Sequence, residues 1–378
     1  RFRNVLQQSF LHPHILLFLN FKFPGMEQVN PIITGIASFG MSGQVFHGPC
    51  LKVDPRFRVK SVVERSKRLS AALFPEAFIV RDYDQLLADP AIELVIVNTP
   101  DPLHFTMAKQ ALLAGKHVVV EKPFTLRKAE ADELIELAKS REKLLTVYQN
   151  RRWDSDFQTV RKVVESGLLG QLVEFESHFD RYRPFVVSST WKEEGDEYTG
   201  VLYNLGSHMV DQAMVLFGMP EAVTAHLFKV RPGSAVFDYY DLRLQYKGFN
   251  ALLKCSYLVK EEGPRFILHG LNGSFLKKGI DPQEEQLKRG VLPRGSQWGI
   301  EESSAWGLLN VRVNGLDIRG RVSSVPGNYP AFYDSLYESV RLGKPLAVPP
   351  EEPARVIRIL EACLESHNKR ITVDLREE

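Results

Sequence analysis

Residues 115–124 read Gly-Lys-His-Val-Val-Val-Glu-Lys-Pro-Phe, and this stretch decides the fold. The apolar run His117–Val120 predicts a short buried strand of a parallel sheet. Glu121 and Lys122 follow it directly, at the carboxyl end of the strand, where open α/β sheets bind their ligands. Pro123 restricts the residue before it and stiffens the turn. A lysine here can be partly desolvated against a bound ligand, although a solvated loop lysine fits the same tripeptide.

A strand–turn–helix upstream predicts a nucleotide site. Residues 31–37 predict a first strand, and residues 44–47 open a helix. The turn between them contains Ser38, Phe39, Gly40, Met41, Ser42 and Gly43. A Rossmann turn needs glycine for the tight bend, for approach of a pyrophosphate and for close helix–strand packing. Gly40 and Gly43 meet the last two needs, but Ser38 stands where the first glycine belongs. A plain strand–turn–helix therefore remains open.

The end of the second strand carries two conflicting signals. Residues 58–63 predict the strand, and Glu64 lies about 20 residues after the last glycine, the spacing of a ribose-binding acid. Arg65, Ser66 and Lys67 instead suit the 2′-phosphate of NADP. A charged helix start without any ligand is a third interpretation. Three phosphate-compatible groups beside one acid favour NADP, with NAD as the alternative.

The next segments complete a βαβ pattern. Residues 93–98 predict another buried strand, which runs into Thr99, Pro100 and His104. A helix over about 105–114 ends at Gly115, a good C-cap. Strand, helix and strand in this order predict a parallel sheet.

Composition narrows the class of protein. The chain has 378 residues, of which 44% are hydrophobic, enough for more than one domain with sizeable cores. A formal charge of +2 gives no electrostatic case for binding nucleic acid. No apolar run approaches the length of about 20 residues that a membrane span needs. Three scattered cysteines show neither metal-ligand spacing nor a disulfide framework, so we expect no metal and a cytoplasmic setting.

Residues 1–25 are predicted to be a non-domain N-terminal extension. Two early arginines and an apolar stretch superficially resemble an export signal, which is the alternative. His12, Pro13 and His14 interrupt that stretch, and no small-residue cleavage site follows. Met26, just before the first strand, is a natural start for the domain.

The pattern changes after residue 149. Alternating polarity predicts strands of an antiparallel sheet with one wet face over 172–179, 222–229, 239–245, 250–258 and 265–269. Helices are expected over 332–342 and 353–369, and a long surface loop over 286–299. Strands collected after a βαβ half favour a second, α+β domain.

Several of these segments resemble the Gfo/Idh/MocA oxidoreductases. The similarity lies in residues 34–47, 99–104 and 115–123, and it continues through 148–154, 200–212, 273–275, 279–285 and 327–329. Within the family, the Asn-Arg-Arg-Trp and Asp-Pro-Gln-Glu-Glu segments are most similar to NADP-dependent scyllo-inositol dehydrogenases. The resemblance implies a Rossmann domain over 26–148. It also implies an α+β domain over 149–378 with a large, open, mostly antiparallel sheet.

The resemblance also implies a function. It is NAD(P)-dependent hydride transfer to or from a secondary alcohol of a cyclic polyol or sugar, by a homo-oligomer, a dimer or tetramer. The implied cofactor contacts are Ser38, Phe39, Gly40, Met41, Ser42, Gly43, Arg65, Ser66, Thr99, Pro100, His104, Glu121 and Lys122. The implied substrate contacts are Lys122, Arg152, Tyr182, Asn204 and His208.

Lys122 and His208 are expected to flank the substrate carbon, with His208 as the base, since histidine titrates near neutral pH. In a helix, Asn204 and Asp211 could both face His208. Asn204 stands where the family has an aspartate. Asparagine cannot stabilise an imidazolium, so the pKa of His208 is expected to fall. Asp211 either compensates or only holds the helix.

Two alternatives remain open. Arg181, Tyr182 and Arg183 fit a surface strand edge as well as a substrate clamp. Ser38 and Asn204 also fit an NAD(P)-binding sensor or a family member of low activity.

Overall fold

The computed structural model describes residues 30–188 and 190–376. The predicted extension over residues 1–25 lies outside the described residues. Within them, no helix is long and apolar enough to cross a membrane.

The first half builds a parallel sheet of six strands. They are β1 (Ile32–Ile36), β2 (Phe57–Val63), β3 (Phe78–Val80), β4 (Leu94–Val97), β5 (His117–Val120) and β6 (Leu145–Val147). Their spatial order is β3-β2-β1-β4-β5-β6, which is the Rossmann order. The order reverses between β1 and β4, and the crevice at that reversal is where such sheets bind their ligands.

The second half builds a nine-stranded sheet. Its strands are β7 (Leu172–His178), β8 (Ala222–Phe228), β9 (Tyr239–Tyr246), β10 (Phe249–Ser256), β11 (Phe266–Gly270), β12 (Gly273–Lys277), β13 (Gly307–Val313), β14 (Leu316–Val322) and β15 (Val373–Asp374). The spatial order is β14-β13-β12-β11-β7-β10-β9-β8-β15. The pairing of β7 with β10 is parallel, and the other pairings are antiparallel. The predicted fold class is confirmed.

Ten α-helices accompany the sheets in the described ranges. They are α1 (Gly48–Val53), α2 (Tyr83–Leu87), α3 (His104–Leu113), α4 (Lys128–Ser140), α5 (Ser155–Glu165), α6 (Trp191–Glu194), α7 (Ser207–Phe217), α8 (Gln283–Lys288), α9 (Pro330–Leu342) and α10 (Glu351–Lys369). Two further turns, Gly43–His47 and Leu202–Gly206, have the wider π-helical geometry.

The parallel sheet is covered on both faces, as its continuous apolar strands require. Val95 and Val97 on one face join a core with α3 and α4. Ile96 on the other face joins a core with α1 and α9. Helix α9 thus packs on the first sheet although it follows the second sheet in sequence. The domain boundary at residue 148 stays a prediction. One core crosses it, because α9 follows residue 148 in sequence and packs on the first sheet.

Several predicted elements need correction. Helix α8 occupies the start of the expected 286–299 loop, because Gln283–Lys288 forms backbone hydrogen bonds that extend to Arg289 and Val291. Strands β3, β6, β12, β13, β14 and β15 were not predicted. β14 lies at the sheet edge and is largely exposed, and the apolar residues that alternate along it, Leu316 and Ile318, are exposed as well.

Candidate active site

A cleft of about 670 Å³ opens at the carboxyl ends of β1, β4 and β5. Lys122, Asn204 and His208 all line it, so the structure brings the three predicted catalytic residues together. A groove that continues past Ser38, Gly40 and Thr99 leads from this cleft to the end of β2.

Lys122 extends from the end of β5 to the wide turn Leu202–Gly206. Its Nζ donates to the carbonyl oxygen of Asn204 at 2.9 Å and to Asn204 Oδ1 at 3.0 Å. Burial lowers the pKa of Lys122 to about 8, although Asp101 and Glu121 oppose the change. The ammonium is therefore held on neutral acceptors and is ready to lose its proton just above neutral pH.

His208 lies at the start of α7, 4% exposed. Burial lowers its pKa well below the ordinary value, and the nearby cations Lys122, Arg151, Arg265 and Arg181 lower it further. Its Nδ1 has no hydrogen-bond partner among the described residues. The imidazole is therefore neutral at physiological pH.

The two polar neighbours predicted for His208 are engaged elsewhere. Asn204 Oδ1 accepts from Lys122, so the side chain that was expected to reach the imidazole binds the lysine instead. Both oxygens of Asp211 accept from Arg152, at 2.6 and 2.8 Å. Asp211 therefore holds helix α7 in place and does not compensate for the missing aspartate.

Glu121 anchors the floor of the cleft. His47 Nε2 lies 3.0 Å from Glu121 Oε1, and Ser42 Oγ donates to the same oxygen. His47 Nδ1 lies 2.6 Å from the hydroxyl of Tyr333 on α9. Burial alone would raise the pKa of Glu121, but His47, Ser42 and the charge of Lys122 bring that pKa down to about 2. A fixed negative charge therefore lies beside Lys122.

Two predicted substrate residues lie away from the cleft. Arg152 is buried between Asp211 and Glu352 and binds both, so it is a structural cation. Tyr182 is 50% exposed and is absent from the cleft wall. Its neighbours Arg181 and Arg183 do line the cleft, because successive residues of an extended chain point in opposite directions. The structure thus contradicts the expected roles of Arg152 and Tyr182.

His104 also has a different role from the one predicted. Its Nδ1 lies 2.7 Å from the carbonyl oxygen of Pro123, and its Nε2 lies 3.0 Å from that of Thr99. The ring is buried and lines neither the cleft nor the groove. His104 ties together the segments that follow β4 and β5, and so positions Lys122 and Thr99 without reaching a ligand.

The glycine turn fits a bound dinucleotide. A Cβ at Gly40 would meet only Ser38 Oγ, at 3.7 Å, so space is open above it. A Cβ at Gly43 would come within 2.8 Å of the Ser38 carbonyl oxygen, so glycine there permits close helix–strand packing. Thr99 Oγ1 and Asn98 Oδ1 are buried at the cleft without hydrogen-bond partners among the described residues. Such orphaned polar atoms are suited to a polar ligand.

The other predicted turn residues differ in exposure. Met41, Ser42 and Pro100 line the cleft, whereas Phe39 packs in the core beneath the groove. Gly43 is a packing residue.

The end of β2 resolves the conflict between Glu64 and its neighbours. Glu64 is buried and accepts from the backbone N–H groups of Leu69 and Ser70, at 2.7 and 2.9 Å, and from the Ser70 hydroxyl. Both carboxylate oxygens therefore accept hydrogen bonds within the protein, although Glu64 also lines the groove. Arg65 and Ser66 are exposed and line the groove. The spacing rule for a ribose-binding acid matched a residue that caps a helical turn.

Some cleft residues were not predicted as contacts: Asp101, Tyr148 and Arg151. Arg151 belongs to the Asn-Arg-Arg-Trp segment, and only the tertiary structure distinguishes it from Arg152. The extended alternation of Arg181, Tyr182 and Arg183 is a signal that could have selected the two arginines. Within the described ranges, no cluster of three or more His, Cys, Asp or Glu residues could hold a metal ion.

Known proteins similar to this chain share both halves of it. The family model for the NAD-binding Rossmann fold of the Gfo/Idh/MocA oxidoreductases matches residues 32–149, and the model for the C-terminal alpha/beta domain matches residues 161–375. The scyllo-inositol 2-dehydrogenase (NADP(+)) IolW of Bacillus subtilis is 40% identical over 352 residues, 93% of this chain and 98% of that protein.

Solved structures are similar over the same span. A Bacteroides fragilis structure classed as an oxidoreductase is 47% identical, with a TM-score of 0.84, and covers 91% of this chain and 100% of its own. The yvaA oxidoreductase of Bacillus subtilis is 39% identical, with a TM-score of 0.89, and covers 92% of this chain and 99% of its own.

Proposed function

Since the chain belongs to the Gfo/Idh/MocA family of oxidoreductases, we propose that it is an NADP-dependent dehydrogenase acting on a secondary alcohol of a cyclic polyol or sugar. The observation that carries the proposal is the convergence of Lys122 and His208 on one cleft, at the carboxyl end of the Rossmann sheet. The similarity to a scyllo-inositol dehydrogenase supports the substrate class.

The cofactor contacts follow from the groove. Backbone N–H groups around Gly40 and the start of the helical turn at Gly43 would hold the pyrophosphate. Arg65 and Ser66 would hold a 2′-phosphate, since both are exposed on the groove, whereas Glu64 already accepts from the backbone N–H groups of Leu69 and Ser70. Bound NADP⁺ would supply the hydride acceptor.

Two residues would handle the hydroxyl group. His208, neutral at physiological pH, takes the hydroxyl proton while the carbon is oxidised. The Lys122 ammonium donates to the same oxygen and holds it as its negative charge grows. Asn204 orients Lys122 through its two oxygens. Burial of both groups removes the water that would weaken these interactions.

A substrate panel tests this proposal. The full-length protein is incubated with inositols and aldoses and with each oxidised cofactor, and the reduced nicotinamide is followed by absorbance. We expect turnover of at least one cyclic polyol or sugar, faster with NADP⁺ than with NAD⁺. The competing function is an NAD(P)-binding sensor, favoured by Asn204. Tight cofactor binding without reduction across the panel would support that function instead. Light scattering during size-exclusion chromatography tests the proposed dimer or tetramer.

A further inference from the structure

We propose that the substrate of this site carries a negative charge, a carboxylate or a phosphate, and that Arg181 and Arg183 bind it. The inference rests on the proposed function and narrows it, because a neutral polyol would leave these two cations without a counter-charge.

The first observation concerns Arg181. Three guanidinium groups surround the ring of Phe179: those of Arg151, Arg181 and Arg265 lie 5.1, 5.2 and 4.6 Å from its centroid. Arg151 has a carboxylate partner in Asp154, at 3.0 Å, and Arg265 lies 3.7 Å from a carboxylate oxygen of Asp156.

Arg181 differs from both. Within the described residues, its side chain has no carboxylate partner and no hydrogen bond, although it lines the cleft and is only partly exposed. Burial is the largest cause of the lowered pKa of Arg181, and the charges of Arg183 and Arg151 lower it further.

The second observation is the same pattern at Arg183, two residues further along the chain. Arg183 and Arg231 lie 5.7 and 4.9 Å from the ring centroid of Tyr257. Arg231 binds Asp238 at 2.8 Å and Glu193 at 2.6 Å. The side chain of Arg183 is exposed at the cleft, and it has no carboxylate partner among the described residues. At each aromatic ring, therefore, a paired arginine accompanies an unpaired one that faces the cleft.

The charge of Arg181 and Arg183 determines which ligand groups they bind best. Hydroxyl groups can accept from a guanidinium, but they do not neutralise it, whereas carboxylates and phosphates match its planar fork and its charge. Lys122 and Arg151 add positive charge to the same wall, and Arg181 is close enough to lower the pKa of His208. An anionic group bound at Arg181 would offset this field beside the reacting carbon.

Three sugars that share one ring test the inference. Glucose, glucuronate and glucose 6-phosphate are titrated by calorimetry into full-length protein saturated with NADP⁺, so that the cofactor's own phosphate sites are filled. The proteins are the wild type, Arg181→Gln, Arg183→Gln and a control, Arg58→Gln. Arg58 is exposed on β2, where the control removes the same charge outside the cleft lining.

We expect at least one anionic sugar to bind about tenfold or more tightly than glucose, and the anion that does so distinguishes carboxylate from phosphate. Both cleft substitutions should abolish this preference, and Arg58→Gln should keep it. Equal affinity for the three sugars, no measurable binding of either anion, or a preference that survives both cleft substitutions overturns the inference.

Formation of reduced cofactor, measured with the same sugars and inositols, separates this inference from the proposed function. If anionic sugars bind selectively but no compound is turned over, the inference is supported and the proposed dehydrogenase activity is contradicted. Turnover of neutral polyols, without any preference for an anionic sugar, would support the proposed dehydrogenase and overturn the inference.

Discussion

The two ends of the ligand groove differ in how far their functional side chains are exposed to solvent. At the β2 end, Arg65 and Ser66 are exposed, and the buried Glu64 accepts hydrogen bonds from Leu69 and Ser70. At the β5 end, Lys122 and His208 are buried, and burial is the largest cause of the lowered pKa of each. Solvent therefore screens Arg65 and Ser66, whereas it is excluded from Lys122 and His208.

This difference indicates what each end can control. A screened contact contributes little free energy, enough to select between two cofactors. A desolvated charge interacts strongly with charge that develops beside it, enough to govern a reaction rate. We therefore expect substitutions to have large effects on rate at the β5 end and small, selective effects on binding at the β2 end.

Removing the Lys122 ammonium is expected to have the largest effect. Lys122→Ala should lower kcat about 100-fold or more, the usual consequence of losing a positioned electrostatic group. Its folding should change little, because the lysine only binds the oxygens of Asn204. Steady-state kinetics and the melting temperature measure both effects. Turnover close to that of the wild type would exclude Lys122 from the mechanism.

The β2 end should respond by about one order of magnitude. Arg65→Ala should weaken NADP binding about tenfold and leave NAD binding unchanged, because only NADP offers a 2′-phosphate. Calorimetric titration of both cofactors measures the selectivity.

Glu64→Gln is the matched control at the neighbouring position. It should lower the melting temperature, because the caps of Leu69 and Ser70 weaken, and it should preserve the NADP-to-NAD ratio. Equal loss of both cofactors in Arg65→Ala, or loss of NAD in Glu64→Gln, would return the ribose to Glu64.

The smallest expected effect is a shift in the pH profile. Oxidation needs neutral His208 and charged Lys122, so kcat/KM should rise with pH through the lowered pKa of His208 and fall above about 8, the pKa of Lys122. Asn204→Asp adds a carboxylate against the Lys122 ammonium, in the same cleft as His208, and should raise both pKa values. Both limbs should therefore move to higher pH by about one unit.

Maximal rate should rise in the same variant, since a stronger base accepts the hydroxyl proton more readily. Lys122→Arg is the control, because a guanidinium stays charged and should remove the alkaline limb. If both limbs stay in place in Asn204→Asp and the reaction is slower, residue 204 does not control the pKa of either His208 or Lys122.

The fold could be predicted because its signals are local. The buried strand His117–Val120 and the turn after β1 required only apolar runs and glycines, and both were found within a residue or two. Strand β14 has only a short alternation of apolar residues and no buried run, and its pairing with β13 at the sheet edge is what holds it.

The site was less predictable because its contacts are long-range. Lys122 and Asn204 are adjacent in space but distant in sequence. Lys122 and His208, both predicted from the sequence, lie together in the cleft, but the sequence could not tell Arg151, which lines the cleft, from Arg152, which does not. Glu64 has the spacing of a ribose-binding acid, but it binds the backbone of Leu69 and Ser70. Patterns identify chemical groups, and tertiary packing decides which of them are already engaged.

The two π-helical turns, Gly43–His47 and Leu202–Gly206, give the cleft a constraint on insertions and deletions. Each turn contains more residues than an α-helical turn would, and each immediately precedes or contains a site histidine. Loss of one residue from either turn would rotate the following helix by about 100° relative to the chain before it. A deletion in Leu202–Gly206 would move His208 out of the cleft without any change in its identity. Among relatives of this protein, conserved chain length at these two turns is therefore as informative about retained activity as conserved residues.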